Sequence, residues 1–157
     1  MAKIEMVNRR LPDWLTIRLP KPDTIQQVEQ MMREARLHTV CESARCPNLP
    51  ECWSKGSATF MILGDICTRS CGFCAIKTGK PLPLDPQEPQ RLAEIAKKMR
   101  LKHIVVTSVA RDDLPDEGAG QFAATIRALH ETIPHAIVEV LTPDFKAKAW
   151  CVRRVVE

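Results

Sequence analysis

The stretch CTRSCGFC, Cys67 to Cys74, constrains this chain more than any other eight residues. It holds three cysteines, with three residues between the first two and two between the last two. A four-iron cluster offers four irons, and a structural zinc site takes four ligands. Three thiolates in one tight run therefore leave one position of such a group without a local partner. The run follows directly on ATFMIL, Ala58 to Leu63, a short apolar stretch that suits a buried strand and is ended by Gly64 and Asp65.

The chain has seven cysteines in 157 residues. The start, MAKIEMVNRRLPDW, has no apolar stretch of signal-peptide length, and no run of about 18 apolar residues exists to suggest a transmembrane helix. The expectation is a cytosolic chain, where thiols stay reduced. An odd number of cysteines also fits disulfide pairing poorly, so metal or redox chemistry leads. Apolar residues at 45% and charged residues at 27% indicate a globular chain rather than a disordered one. The net charge of +4 is modest and dispersed, which suits a solvated surface or an acidic protein partner and does not suggest nucleic acid.

The first 22 residues, rich in Pro, Arg and Lys with Trp14 their only aromatic, read as an extended arm. Asp23 or Thr24 is expected to cap a helix reaching about Leu37, with Ile25, Val28, Met31, Met32 and Ala35 at helical spacing. CESARCPNLPEC, Cys41 to Cys52, carries two prolines and no periodicity and reads as a loop held by something other than packing. Lys77 to Pro89, with four prolines, is a connection. A helix follows over Gln90 to Leu101, then the strand HIVVTS, His103 to Ser108, then the polar loop ARDDLPDEGAG. A second core helix spans Gln121 to Thr132, and AIVEVL, Ala136 to Leu141, is a third strand ended by Thr142-Pro143-Asp144. The order β-α-β-α-β implies right-handed crossovers and a parallel sheet. Ligands of such sheets bind at the C-terminal strand ends, here the cysteine loop, the SVARDD loop and the TPDF turn.

A four-iron cluster held by three cysteines keeps one iron free of protein, able to act as a Lewis acid toward a ligand with N and O donors. S-adenosylmethionine offers such a pair, and an electron from the cluster can break its sulfonium C–S bond to give a deoxyadenosyl radical. Two other readings of the run stay open on the residues alone. One is a zinc site completed by a distant ligand such as His38 or Cys151, and the other is three unrelated buried cysteines.

CxxxCxxC after a strand, with Phe73 just before the last cysteine, resembles the radical S-adenosylmethionine superfamily. An earlier triplet, the first along the chain, is Cys41, Cys46 and Cys52, with four and five residues between its members. Together with ESARCPN, ECW, ATFMILGD and VVTSV followed by RDDLPD, the six cysteines resemble the lipoyl synthase family over roughly residues 9 to 145. The resemblance implies an α/β fold: a partial parallel (β/α) barrel, incomplete at about three strands, with an N-terminal helical and loop extension. Residues 1–56 would form that extension with its cysteine loop, 57–145 the first β/α units, and 146–157 a divergent tail.

It also implies the chemistry. Cys67, Cys71 and Cys74 would hold the [4Fe-4S] cluster that binds S-adenosylmethionine, and Cys41, Cys46 and Cys52 an auxiliary [4Fe-4S] cluster consumed as a sulfur source. The reaction would be that of a sulfur-inserting transferase. Two sulfur atoms would enter an octanoyl chain, at its sixth and eighth carbons, carried on a lysine of a lipoyl-carrier domain. An electron donor would be a further partner, with neither nucleic acid nor membrane involved. Phe73, Thr107, Ser108 and Asp112 are the expected cofactor contacts, with Arg111 and Asp113 beside them. Glu42 and Arg45 would orient the first triplet or meet substrate, and basic residues of the arm would touch an acidic carrier. Cys151 reads as a free thiol without a role, and His103, His130 and His135 as structural or exposed. Another radical enzyme with an auxiliary cluster and a non-enzymatic metal-binding fragment are the alternatives.

Three departures from the family pattern stand out. SVDRDDLPDGG is the family's usual loop, and this chain has SVARDDLPDEG, with Ala110 in place of a carboxylate and Glu117 in place of a glycine. Glutamate there strains the backbone if a positive φ is required. The third departure is length. The resemblance fades after about Phe145, and three strands cannot close a barrel. A family serine motif that completes the auxiliary cluster is also missing. The expectation is a truncated, frameshifted or split product, inactive as it stands.

Overall fold

The computed structural model describes residues 22–157. The expected arm and Trp14, with the arm's expected contact to a carrier, lie outside the described residues. The first described element, α1 (Pro22–Glu34), is followed by β1 (His38–Thr39), α2 (Val40–Ser43), α3 (Leu49–Ser54) and β2 (Ser57–Ile62). Next come β3 (Ile66–Cys67), β4 (Lys77–Thr78), α4 (Glu88–Lys98), β5 (His103–Ser108) and α5 (Ala119–Thr132). The chain ends with β6 (Ile137–Leu141), a 3-10 turn (Phe145–Ala147) and α6 (Ala149–Val156).

The main sheet has the order β1-β2-β5-β6. β2, β5 and β6 are parallel, in a register that sets Phe60 beside Val106 and Val106 beside Val140. β5 and β6 alternate in burial along most of their length, and β2 ends in three buried residues because both its faces are covered there. Phe60, Ile62, Ile104 and Val106 are buried, together with Leu92 and Ala96 of α4 and Phe122 and Leu129 of α5. Burying each of the larger side chains contributes about 1.5–3 kcal/mol before entropy is subtracted. β6 is the sheet's edge, with Ile137 and Leu141 exposed. The fold is therefore an incomplete parallel barrel, as the strand count predicts.

The segment from Cys41 to Cys52 differs from the expected loop. It contains α2 and α3, and Leu49 and Trp53 pack into the core. Pro50 sits in the first turn of α3, where the N–H it lacks would have had no helical partner. Thr39 caps α2 by accepting the Glu42 N–H at 3.2 Å. Helices of four and six residues are too short to show a period, so packing fixes what periodicity could not reveal.

The end of the chain carries two core side chains, one just before the expected tail and one within it. Phe145 is buried and meets Phe122 edge-on, with ring centroids 6.1 Å apart, and Cys151 of α6 is fully buried. Phe145, Lys146 and Ala147 all have positive φ, a strained turn for non-glycine residues that persists only where its surroundings over-determine it.

Candidate metal centre

The second cysteine run begins from a pinned turn. β2 ends at Ile62, and Leu63 and Gly64 both take positive φ, 72° and 92°. The Leu63 N–H donates to Glu88 Oε2 at 3.0 Å, and the Leu63 carbonyl accepts from Arg111 Nη1 at 3.4 Å. Both partners are buried, and Arg111 is itself forked onto Asp113 at 2.8 and 2.9 Å. A left-handed non-glycine residue costs about 1–2 kcal/mol, so two buried charged side chains are spent on holding this backbone.

Beyond the turn, β3 and β4 form a short parallel pair that brackets the run, with Ile66 opposite Lys77 and Cys67 opposite Thr78. The half-buried Cys67 Sγ accepts two backbone N–H groups, from Arg69 at 3.4 Å and from Ala110 at 3.3 Å. These two amides fix where that sulfur sits. Cys71 and Cys74 are exposed, and the Cys74 N–H closes a turn onto the Cys71 carbonyl at 3.0 Å. Phe73, between them, is 95% exposed.

The three strand ends expected to share a rim do so through Arg69. Its guanidinium donates to both Asp112 oxygens at 2.7 and 2.8 Å and to both Asp144 oxygens at 2.9 and 3.0 Å. Thr68 adds a backbone bond to the Ala110 carbonyl at 3.1 Å, and its hydroxyl lies 2.6 Å from Asp112 Oδ2. Lys146 Nζ lies 3.2 Å from Asp112 and 3.2 Å from Glu117, and Lys148 Nζ lies 2.9 Å from Glu117. Glu117 is buried with φ 52°, so this position does take the left-handed backbone that glycine would supply. Its two lysine partners offset that cost. Ala110 has no side-chain acceptor, but its N–H and carbonyl bond Cys67 and Thr68.

Of the remaining expected contacts, the Thr107 hydroxyl donates to the Leu141 carbonyl at 3.1 Å. Ser108 Oγ is buried with no partner among the described residues. Glu42 is occupied as the reciprocal cap of Thr39, accepting its hydroxyl at 2.7 Å, and Arg45 is exposed.

Asp112 and Asp144 are held below the usual carboxylate range, in both cases chiefly by Arg69. A depressed carboxyl stabilises the fold above the unfolded value of about 3.9, and that stabilisation is lost as pH falls through the folded value. Urea melts at pH 7 and pH 3 therefore show a smaller stability gap for Asp112→Asn than for the parent chain. An equal gap in both proteins overturns this account.

The first triplet lies along the β1 edge of the sheet. Cys41 is on α2, Cys52 on α3, and the Cys46 N–H bonds the Cys41 carbonyl at 2.9 Å. The Cys52 thiol is pushed up first by burial, then by Cys41, Cys46 and Glu51, with Lys55 opposing. Three sulfurs close enough to repel as thiolates fit a cationic group that relieves the repulsion. Among the described residues, no three His, Cys, Asp or Glu side chains lie at single-ion distances, and no hydrogen bond joins one triplet to the other.

The sequence reading missed Arg69, Glu88 and Lys146. Arg69 was visible as a cation between thiolates, but its partners lie 43 and 75 residues away. Glu88 gave no signal beyond an acidic first turn.

Residues 2–46 match the family described as the N-terminal domain of lipoyl synthase of the radical SAM family, and residues 61–153 match the radical SAM superfamily. The chain belongs to the radical SAM superfamily. That match runs past Phe145, through most of α6. Curated lipoyl synthases are similar over most of the chain. The one from Rubrobacter xylanophilus is 55% identical over 93% of this chain and 46% of its own length. Those of Thermus thermophilus and Parabacteroides distasonis are each 53% identical, over 98% and 94% of this chain and 48% and 53% of their own lengths. The chain spans about half the length of the curated relatives it matches. Superfamily membership implies an iron–sulfur cluster and S-adenosylmethionine. No helix of the described residues is long and apolar enough to cross a membrane.

Proposed function

We propose that this chain carries the cluster-binding half of a lipoyl synthase, a sulfur-inserting transferase of the cytosol. The observation that carries the reading is the pair of cysteine triplets. One sits at the C-terminal end of a parallel strand, where this architecture binds ligands, and the other spans two short helices and the turn between them at the sheet edge. Similarity to lipoyl synthases over nearly the whole chain supports it.

In this reading Cys67, Cys71 and Cys74 hold one [4Fe-4S] cluster, and Cys41, Cys46 and Cys52 hold an auxiliary one. When bound, the groups supply a deoxyadenosyl radical for unactivated C–H bonds and sulfide for the new C–S bonds. The chain's own residues place them. The Ala110 and Arg69 amides fix and polarise the Cys67 sulfur. Ser108 Oγ, lacking a partner, is free to hydrogen-bond S-adenosylmethionine at the end of β5. Thr107 lies beside it. Phe73 is 95% exposed in the cysteine loop, so its ring is free to pack against the cofactor. Asp112, which we expected among the cofactor contacts, lies at the same rim and acts through Arg69 and Thr68. The substrate is an octanoylated carrier domain, and an external donor supplies the electron.

The test is iron and acid-labile sulfide per chain after anaerobic reconstitution. About eight of each supports two four-iron clusters. About four removes one of the two clusters from this chain, and zinc without sulfide removes the reading altogether.

A further inference from the structure

The loop from Cys67 to Lys80 contains no buried residue. Only Cys67 and Ile76 of this stretch pack partly against the core. Ordering each backbone residue costs about 1–2 kcal/mol, and here apolar packing does not supply it. Polar contacts hold this loop, and the largest group of them converges on Arg69. Four of its five N–H donors are used, each within 3.0 Å of a carboxylate oxygen. The two carboxylates come from the loops after β5 and β6. A planar guanidinium clamps two carboxylates in fixed orientation, which a lysine ammonium cannot do.

The network continues away from the cysteines. Asp112 shares Lys146 with Glu117, and Glu117 shares itself with Lys148, the residue that precedes α6. Lys146 stands in the strained left-handed turn, and Asp144 fixes that turn by accepting the Lys146 N–H at 3.1 Å. The same carboxylate that grips Arg69 thus sets the turn leading into α6.

We infer that Arg69 is the positioning residue of the metal centre: through Asp112 and Asp144 it locks the three-cysteine loop against the ends of β5 and β6. The inference rests on the reading of Cys67, Cys71 and Cys74 as cluster ligands. It assigns Arg69 no contact with substrate. The lock reduces the ordering that cluster assembly would otherwise require, and it holds the Cys67 sulfur under the Ala110 amide.

Arg69 and Asp144 are both partly exposed, so their substitution leaves the core intact. The experiment compares the full chain with Arg69→Lys, Asp144→Asn and the triple variant Cys67→Ala, Cys71→Ala, Cys74→Ala. Two quantities are read: iron release to a ferrous chelator after anaerobic reconstitution, and alkylation rates of individual thiols in the metal-free chains by mass spectrometry. Losing charged bidentate contacts is expected to speed release of about half the iron by about tenfold in Arg69→Lys and Asp144→Asn. In the metal-free chains Cys67 alkylates faster, while the fully buried Cys151 keeps the parent rate. Parent-like iron release and Cys67 reactivity in both variants overturn the inference. Faster alkylation of Cys151 as well overturns it too, because the effect is then general unfolding. If the triple variant loses about half its iron while the other two behave like the parent, the lock fails and the ligand reading stands. If the triple variant keeps all its iron, the ligand reading itself fails.

Discussion

On the proposed function, Cys67→Ala is expected to abolish reductive cleavage of S-adenosylmethionine and Cys41→Ala to leave it intact. That contrast is the largest expected effect on activity, and it follows from where the two triplets sit. Cys67 lies at the end of β3, immediately past the pinned turn, and its sulfur is the one that accepts two backbone amides. Removing it takes the best-positioned ligand from the rim that this architecture uses for ligands. With two exposed cysteines left, the site is expected to hold no four-iron cluster, and about four irons are lost per chain. Cys41 belongs to a separate set at the β1 edge, tied to Cys46 by a backbone bond and to Cys52 by electrostatic influence. Its loss also removes about four irons, but deoxyadenosine still forms on reduction. Cys151→Ala changes neither, since its thiol is sealed in the core against the Asp116 carbonyl. Deoxyadenosine release at the parent rate from Cys67→Ala would sink the assignment of the two triplets.

The parts of this site that were legible in the sequence are those written locally. HIVVTS is apolar, β-branched and bounded, and it forms β5 over its full expected length. The helices α4 and α5 follow their apolar spacing to within two residues at the start. The cysteine spacing was readable because metal ligation is a short-range pattern. What stayed hidden is what tertiary structure supplies. β1, β3 and β4 have two residues each, and only a partner strand makes them strands. Glu88 looks like any acidic residue near a helix start until Leu63, 25 residues earlier, needs an acceptor. The doubt raised over Glu117 was half of the answer. Its φ is positive, but Lys146 and Lys148, from a segment read as divergent, give the carboxylate partners.

Three glycine-to-alanine variants should grade the rigidity of the turn that feeds the site, and the largest loss belongs to Gly118. This residue caps α5 with φ 88°, and a Cβ there would stand 2.3 Å from Leu63 Cδ1. Leu63 Cδ1 is the end of a side chain, and because Leu63 is buried and Glu88 and Arg111 hold its backbone, that methyl moves only by repacking its core neighbours. Left-handed strain of about 1–2 kcal/mol adds to an overpacking cost of about 1–3, so Gly118→Ala loses about 2–5 kcal/mol. Gly64→Ala carries only the strain, because its φ is 92° but nothing lies within 4 Å of its Cβ position. Gly72→Ala, inside the cysteine run, meets nothing within 4 Å and is expected to melt like the parent. Urea denaturation of the three metal-free variants reads the order directly. The order matters for function because the Gly118 clash acts on the residue that launches the cysteine loop. Reconstituted Gly118→Ala should therefore lose iron from the Cys67 site at temperatures where its sheet is still folded. If Gly118→Ala proves no less stable than Gly64→Ala, Leu63 has room to move and the turn is not the rigid pivot described here.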